Sequence, residues 1–164
     1  MRFKLAVESV PALKGAYRTG LRALAKKDRQ LITADGNRLT GSVNLDESLK
    51  KGEHAQASRW DYGIGYKINN SEVAIWVEVH PASSTDDVKI VAKKLEWLKH
   101  FLGLKDASEL RAMTLAFFWV ATSRVNRLIA EALQRFGSSM QGLKGPMKQL
   151  DLSKVVLVHP IERI

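Results

Sequence analysis

Two side chains near the end of an apolar run have the types and spacing to do chemistry. Glu78 and His80 interrupt the stretch from Val73 to Val79, and residues two apart point to one face of a strand. A carboxylate in such a run is costly to bury unless it is paired, protonated or bound to a cation. A second acid, Asp61, opens the run Arg59 to Ile68. The turn signal Asn69-Asn70-Ser71 lies about midway between the two acids, so an antiparallel hairpin brings Asp61 beside Glu78 at its open end. Asp46, at the end of the preceding strand, could join them. Converging carboxylates repel unless a cation sits between them. Oxygen ligands of this kind suit Mg²⁺ or Mn²⁺. Such an ion activates water and stabilises the charge that develops on a phosphodiester. Each residue also has a structural reading. Asp61 could pair with Arg59 or Lys67, His80 could be a hydrogen-bonded core residue ahead of Pro81, and Asp46 could cap the turn Glu47-Ser48-Leu49.

The elements that would position these groups follow from periodicity. The continuous, β-branched run Val73–Val79 reads as a central strand covered on both faces. Tyr62, Ile64, Tyr66 and Ile68 alternate as one face of its partner. After Pro81, Ser83, Ser84 or Thr85 caps a helix with Asp86 and Asp87 in its first turn. That helix turns Val88, Val91, Leu95, Leu98 and Leu102 inward and stops near Gly103. Met113 to Ala121 reads as a buried strand, and Thr122 or Ser123 as the cap of a helix with Val125, Leu128, Ile129, Ala132 and Phe136 inward. Gly137 to Pro146 reads as a mobile loop, and Val155 to Val158 as a closing strand.

Upstream, Phe3 to Val7 reads as a short leading strand. Ser9 and Pro11 then start a helix running to about residue 27. Lys14, Arg18, Arg22 and Lys26 recur every four residues along it, either as a phosphate-tracking ridge or as a solvated face. Asp35-Gly36 predicts a hairpin between Leu31-Ile32-Thr33 and Arg38 to Leu45. The whole, 1–164, reads as a single α/β domain, with a mixed central sheet flanked by helices.

Composition narrows the function classes. The 164 residues are 45% hydrophobic and 26% charged, ordinary for a soluble globular protein. Without cysteine there is no disulfide, thiolate nucleophile or Cys-based zinc site. No phosphate-binding loop, dinucleotide fingerprint or nucleophile elbow is present. Met1 to Leu5 carries charge and no apolar core, so no signal peptide is expected. The uncharged run Ala112–Ser123 is too short to span a bilayer. A cytoplasmic location and no membrane association are the expectation. The net charge is +9. Residues 1–30 carry 8 basic and 2 acidic side chains and 111–164 carry 8 and 3, whereas 31–110 carries 10 and 12. Basic ends around a mildly acidic centre favour a polyanionic partner, nucleic acid above all.

A helix, then strands carrying an Asp and a Glu-x-Lys, then a helix and a further strand, is the pattern of the PD-(D/E)xK, or restriction-endonuclease-like, nuclease superfamily. The chain resembles it over roughly residues 10–121 through Trp60-Asp61 and Glu78-Val79-His80. The resemblance implies an α-β-β-β-α-β core, Asp61 and Glu78 as holders of Mg²⁺ or Mn²⁺, and hydrolysis of DNA or RNA phosphodiesters. His80 stands where the family has lysine, and Trp60 where it often has proline. His80 could take over the lysine's role, or a lysine of the next helix, Lys89 or Lys93, could reach in. A third reading keeps nucleic-acid or protein-partner binding without cleavage. A homodimer or a protein partner would supply specificity that the chain itself does not display.

Overall fold

The chain enters through a helix, α1 (Phe3–Glu8), where the sequence suggests a strand. Phe3, Ala6 and Val7 are buried and Leu5 is exposed, which is helical spacing and not alternation. The long basic helix expected next does not form. Pro11–Leu13 is a single 3₁₀ turn, and Gly15 and Gly20 adopt φ of 80° and 56°, outside the helical region. Between those glycines Arg18 forms a bridge with Ser42, so this segment follows the sheet edge. Only α2 (Lys26–Arg29) is helical there. Lys14, Arg18, Arg22 and Lys26 are exposed, but no common helix aligns them as a ridge.

The Asp35 turn forms, with the Arg38 amide donating to the Asp35 carbonyl, yet its arms do not pair with each other. The first arm, β1 (Ile32–Thr33), pairs in parallel with β7 (Leu150–Asp151). The second, β2 (Leu39–Asn44), pairs antiparallel with β3 (Tyr62–Ile68). Between β2 and β3 lies α3 (Leu45–Ser48). Its cap is Asn44, whose Oδ1 accepts the Glu47 amide at 2.8 Å, and not Asp46.

The β3–β4 hairpin forms as read. Asn69, at φ 56°, turns the chain into β4 (Ser71–His80), and the register runs from Ile68↔Ser71 to Tyr62↔Val77. A long helix, α4 (Thr85–Leu102), then crosses the sheet. After α5 (Ser108–Met113), β5 (Thr114–Ala121) pairs in parallel with β4. The next helix, α6 (Ile129–Phe136), starts six residues after Ser123, and Val125 and Leu128 are exposed, not inward. Residues read as a mobile loop hold a 3₁₀ turn, Gly137–Met140, and an edge strand, β6 (Leu143–Met147), parallel to β5.

The computed structural model describes residues 2–155, so the strand expected over 155–158 lies almost wholly outside the described residues. These residues make one α/β domain around a mixed sheet of order β2-β3-β4-β5-β6. One face of β4 (Ala74, Trp76) packs with Val88, Val91 and Leu95 of α4. The other (Val73, Ile75, Val77) packs with Leu24, Ile32, Leu150 and Leu152. A strand covered on both faces is apolar on both, which is why the Val73–Val79 run announces itself. Among the described residues no helix is long and apolar enough to cross a membrane.

Candidate active site at the open end of the hairpin

The β3–β4 register ends at Tyr62↔Val77, and one step further Asp61 faces Glu78. Each acid is held by the other's strand. The Asp61 amide donates to Glu78 Oε1 at 3.1 Å, and the Val79 amide donates to Asp61 Oδ2 at 3.0 Å. Two carboxylates are thus fixed side by side. Glu78 is fully buried, while Asp61 keeps 19% of its side-chain exposure.

The cation between them comes from α4. Lys94 Nζ donates to Glu78 Oε2 and lies 3.4 Å from Asp61 Oδ1. This is not the lysine expected from the sequence. Lys93 is exposed, and Lys89 is exposed beside Asp86. The signal was in the periodicity. The inward stripe Val88-Val91-Leu95-Leu98 puts Lys94 on its flank and Lys93 on the opposite side of the helix.

His80 completes the group. Its Nδ1 lies 3.7 Å from Glu78 Oε2, and its Nε2 lies 3.2 Å from Asp87 Oδ1. Asp87 Oδ2 accepts the Ser83 and Ser84 amides at 2.9 and 3.1 Å, so the start of α4 orients the imidazole. In the sequence Asp87 reads only as a first-turn acid of the helix. Asp46 stands apart. Its Oδ1 pairs with Arg59 at 3.2 Å, with half of its side chain exposed. Trp60, the residue in the proline position, is fully buried.

Electrostatics follow from two acids sharing one ammonium in a dry place. Burial, then the Asp61 charge, pushes Glu78 up to about 8 against the pull of Lys94. Burial also raises Asp61, although Lys94 and the Val79 amide act the other way. Burial pulls Lys94 down, but the two carboxylates outweigh it and hold the ammonium above its usual range. Burial, then the Lys94 charge, holds His80 low, so the imidazole is neutral at pH 7. Its contact with Asp87 favours the proton on Nε2, which leaves Nδ1 as an acceptor facing Glu78.

Compared with family models, curated proteins and solved structures, the chain gives no match. The reading of this site therefore rests on its own geometry.

That geometry can be tested against a divalent ion. Among the described residues no three His, Asp or Glu side chains are arranged as a ready-made metal set. The donor chemistry of the pair does fit. Glu78 Oε2 and Asp61 Oδ1 are hard oxygens aimed at a point that already holds a positive charge, Lys94 Nζ. Burial first, and the Asp61 charge after it, raises Glu78, and a cation at this point would act against both, as Lys94 does.

Proposed function

We propose that this chain is a divergent restriction-endonuclease-like protein that hydrolyses nucleic-acid phosphodiesters with Mg²⁺ or Mn²⁺. The observation that carries the reading is the convergence of Asp61, Glu78 and Lys94 at the open end of one hairpin. With the short elements α2, β1, α3 and α5 set aside, the succession α1-β2-β3-β4-α4-β5 is compatible with the α-β-β-β-α-β order of that superfamily. In this reading the superfamily's lysine is replaced in space by Lys94 and in sequence by His80.

Asp61 and Glu78 would hold the ion, whose chemistry there is to activate water and offset charge on the phosphoryl oxygens. The chain's own groups do the rest. His80 Nδ1 accepts a proton as water attacks phosphorus, and the ester oxygen leaves with the bonding pair. Asp87 keeps the imidazole turned for that task, and Lys94 faces the negative charge that builds up.

A second reading, binding without cleavage, has its own observation. Glu78 is fully buried, and its two oxygens are taken by the Asp61 amide and by Lys94. One experiment separates the two. Labelled DNA and RNA, single- and double-stranded, are incubated with Mg²⁺ or Mn²⁺ and wild type, Asp61→Asn or Glu78→Gln, with Mn²⁺ calorimetry alongside. Hydrolysis lost in both variants supports the nuclease. Oligonucleotide binding without turnover supports the binding module. Absence of both activities removes the nucleic-acid reading.

A further inference from the structure

Strands β4, β5 and β6 are parallel, so their C-terminal ends, at His80, Ala121 and Met147, share one edge of the sheet. β3 runs the other way and places Asp61 at that same edge. β5 leads to α6 on one face of the sheet, whereas β6 leads to Leu150 and Leu152 on the other, and a crevice opens where such connections diverge. A cleft of about 530 Å³ lies at this edge, with Lys27, Arg124 and Lys148 in its wall. A cavity of about 800 Å³ lies at the far end, around Asn69, Asn70 and Glu72, and Asp61, Glu78 and Lys94 line neither of the two.

The cleft is fastened to the site on both sides. Ala121 pairs with His80, and the Thr122 amide donates to the His80 carbonyl at 3.4 Å. The Ala82 amide donates to Ser123 Oγ at 2.9 Å, which ties the Arg124 loop to the segment leaving His80. On the opposite wall the Tyr62 hydroxyl donates to Asp28 Oδ2 at 2.6 Å, which anchors α2 one residue from Asp61. Asp28 is 8% exposed and turned to that hydroxyl. Lys27, Arg124 and Lys148 are exposed and make no ion pair among the described residues. Arg18, by contrast, spends its guanidinium on the Gly15 and Tyr17 carbonyls.

We propose that this cleft carries the phosphate backbone of the nucleic acid, held by Lys27, Arg124 and Lys148 and led over the sheet edge to the Asp61–Glu78–Lys94 cluster. The assignment rests on the phosphodiester reading of that cluster and replaces the N-terminal basic ridge as the binding surface. Unpaired cations beside a phosphate chain act by releasing its counterions, so their number is legible in the salt dependence of affinity.

The test is binding of a fluorescent oligonucleotide in EDTA across a salt series. It compares wild type with the triple variant Lys27→Gln/Arg124→Gln/Lys148→Gln and with Lys14→Gln/Arg18→Gln/Arg22→Gln. Both triples remove the same charge from exposed sites, and thermal melts check that both fold. The log–log salt slope is expected to fall by about 3 in the cleft triple, about 1 per lost phosphate contact, and by well under 1 in the other. Equal losses in both triples, or a loss only in the N-terminal one, would overturn the assignment and leave the phosphodiester reading standing. A wild type that binds no oligonucleotide would overturn both.

Discussion

Lys94 reaches Glu78 from the middle of α4, 16 residues further along the chain, and lies between that glutamate and Asp61. The ammonium is therefore both a structural counter-ion and the candidate site's cation. Lys94→Met leaves two buried acids facing each other. Removing one partner of a buried pair costs about 3 kcal/mol or more. Adding Glu78→Gln should recover part of that loss, because the uncompensated acid goes with it. Urea unfolding of the two singles and the double measures the coupling. An additive double would show that Lys94 and Glu78 do not act on each other.

Proton linkage gives the second prediction. Glu78 loses its proton near 8 when folded, against 4.5 for an ordinary glutamate. With the folded value raised, the group's contribution to stability is full below about 4.5 and is lost as the pH climbs towards about 8. Glu78→Gln cannot titrate, so metal-free wild type should lose stability relative to this variant over that window. His80 works with the opposite sign. Its folded value is depressed, so its contribution is present above about 6.5 and is lost as the pH falls below it. Denaturation midpoints across pH check both signs, and parallel wild-type and Glu78→Gln curves would refute the burial argument.

Gly63 lies two residues from Asp61, where a Cβ would meet the Trp76 ring at 2.5 Å and Val43 Cγ1 at 3.1 Å. Both neighbours are fully buried and have no room to retreat. Gly63→Ala is expected to destabilise by about 1–3 kcal/mol, the range for overpacking a filled core. Any activity should fall with it, because the displaced β3 carries Asp61. A neutral melt would show that Trp76 can move.

Asp46 offers a contrast within the same set of acids. It pairs with Arg59 at a half-exposed position, where an ion pair contributes less than about 1 kcal/mol. Asp46→Asn should leave the melt and Mn²⁺ calorimetry close to wild type, while Asp61→Asn abolishes any ion signal. An equal loss of ion binding in the two variants would return Asp46 to the site.

Several features were legible in the chain because they are local. Alternation from Tyr62 to Ile68, the two-sided apolar run Val73–Val79 and the turn between them settle the hairpin. The hairpin alone sets Asp61 beside Glu78. The α4 cap and the β-branched and aromatic run of β5 were visible in the same way. An α/β domain with a mixed sheet follows from their order.

The tertiary structure decided what depends on partners far along the chain. Residues 14–26 carry a helical pattern, yet Gly15 and Gly20 let the segment leave the helix and Ser42 offers it a bridge. Ile32–Thr33 found Leu150–Asp151, more than a hundred residues away, in place of its neighbour across a good turn. Arg59 took Asp46 as its ion-pair partner, so among the described residues the Lys94 ammonium is shared by Asp61 and Glu78 alone. The choice of Lys94 over Lys93 was set by how α4 rotates on the sheet. Sequence spacing places residues within one element, but the burial of Val88, Val91, Leu95 and Leu98 fixes which flank of that helix meets the acids.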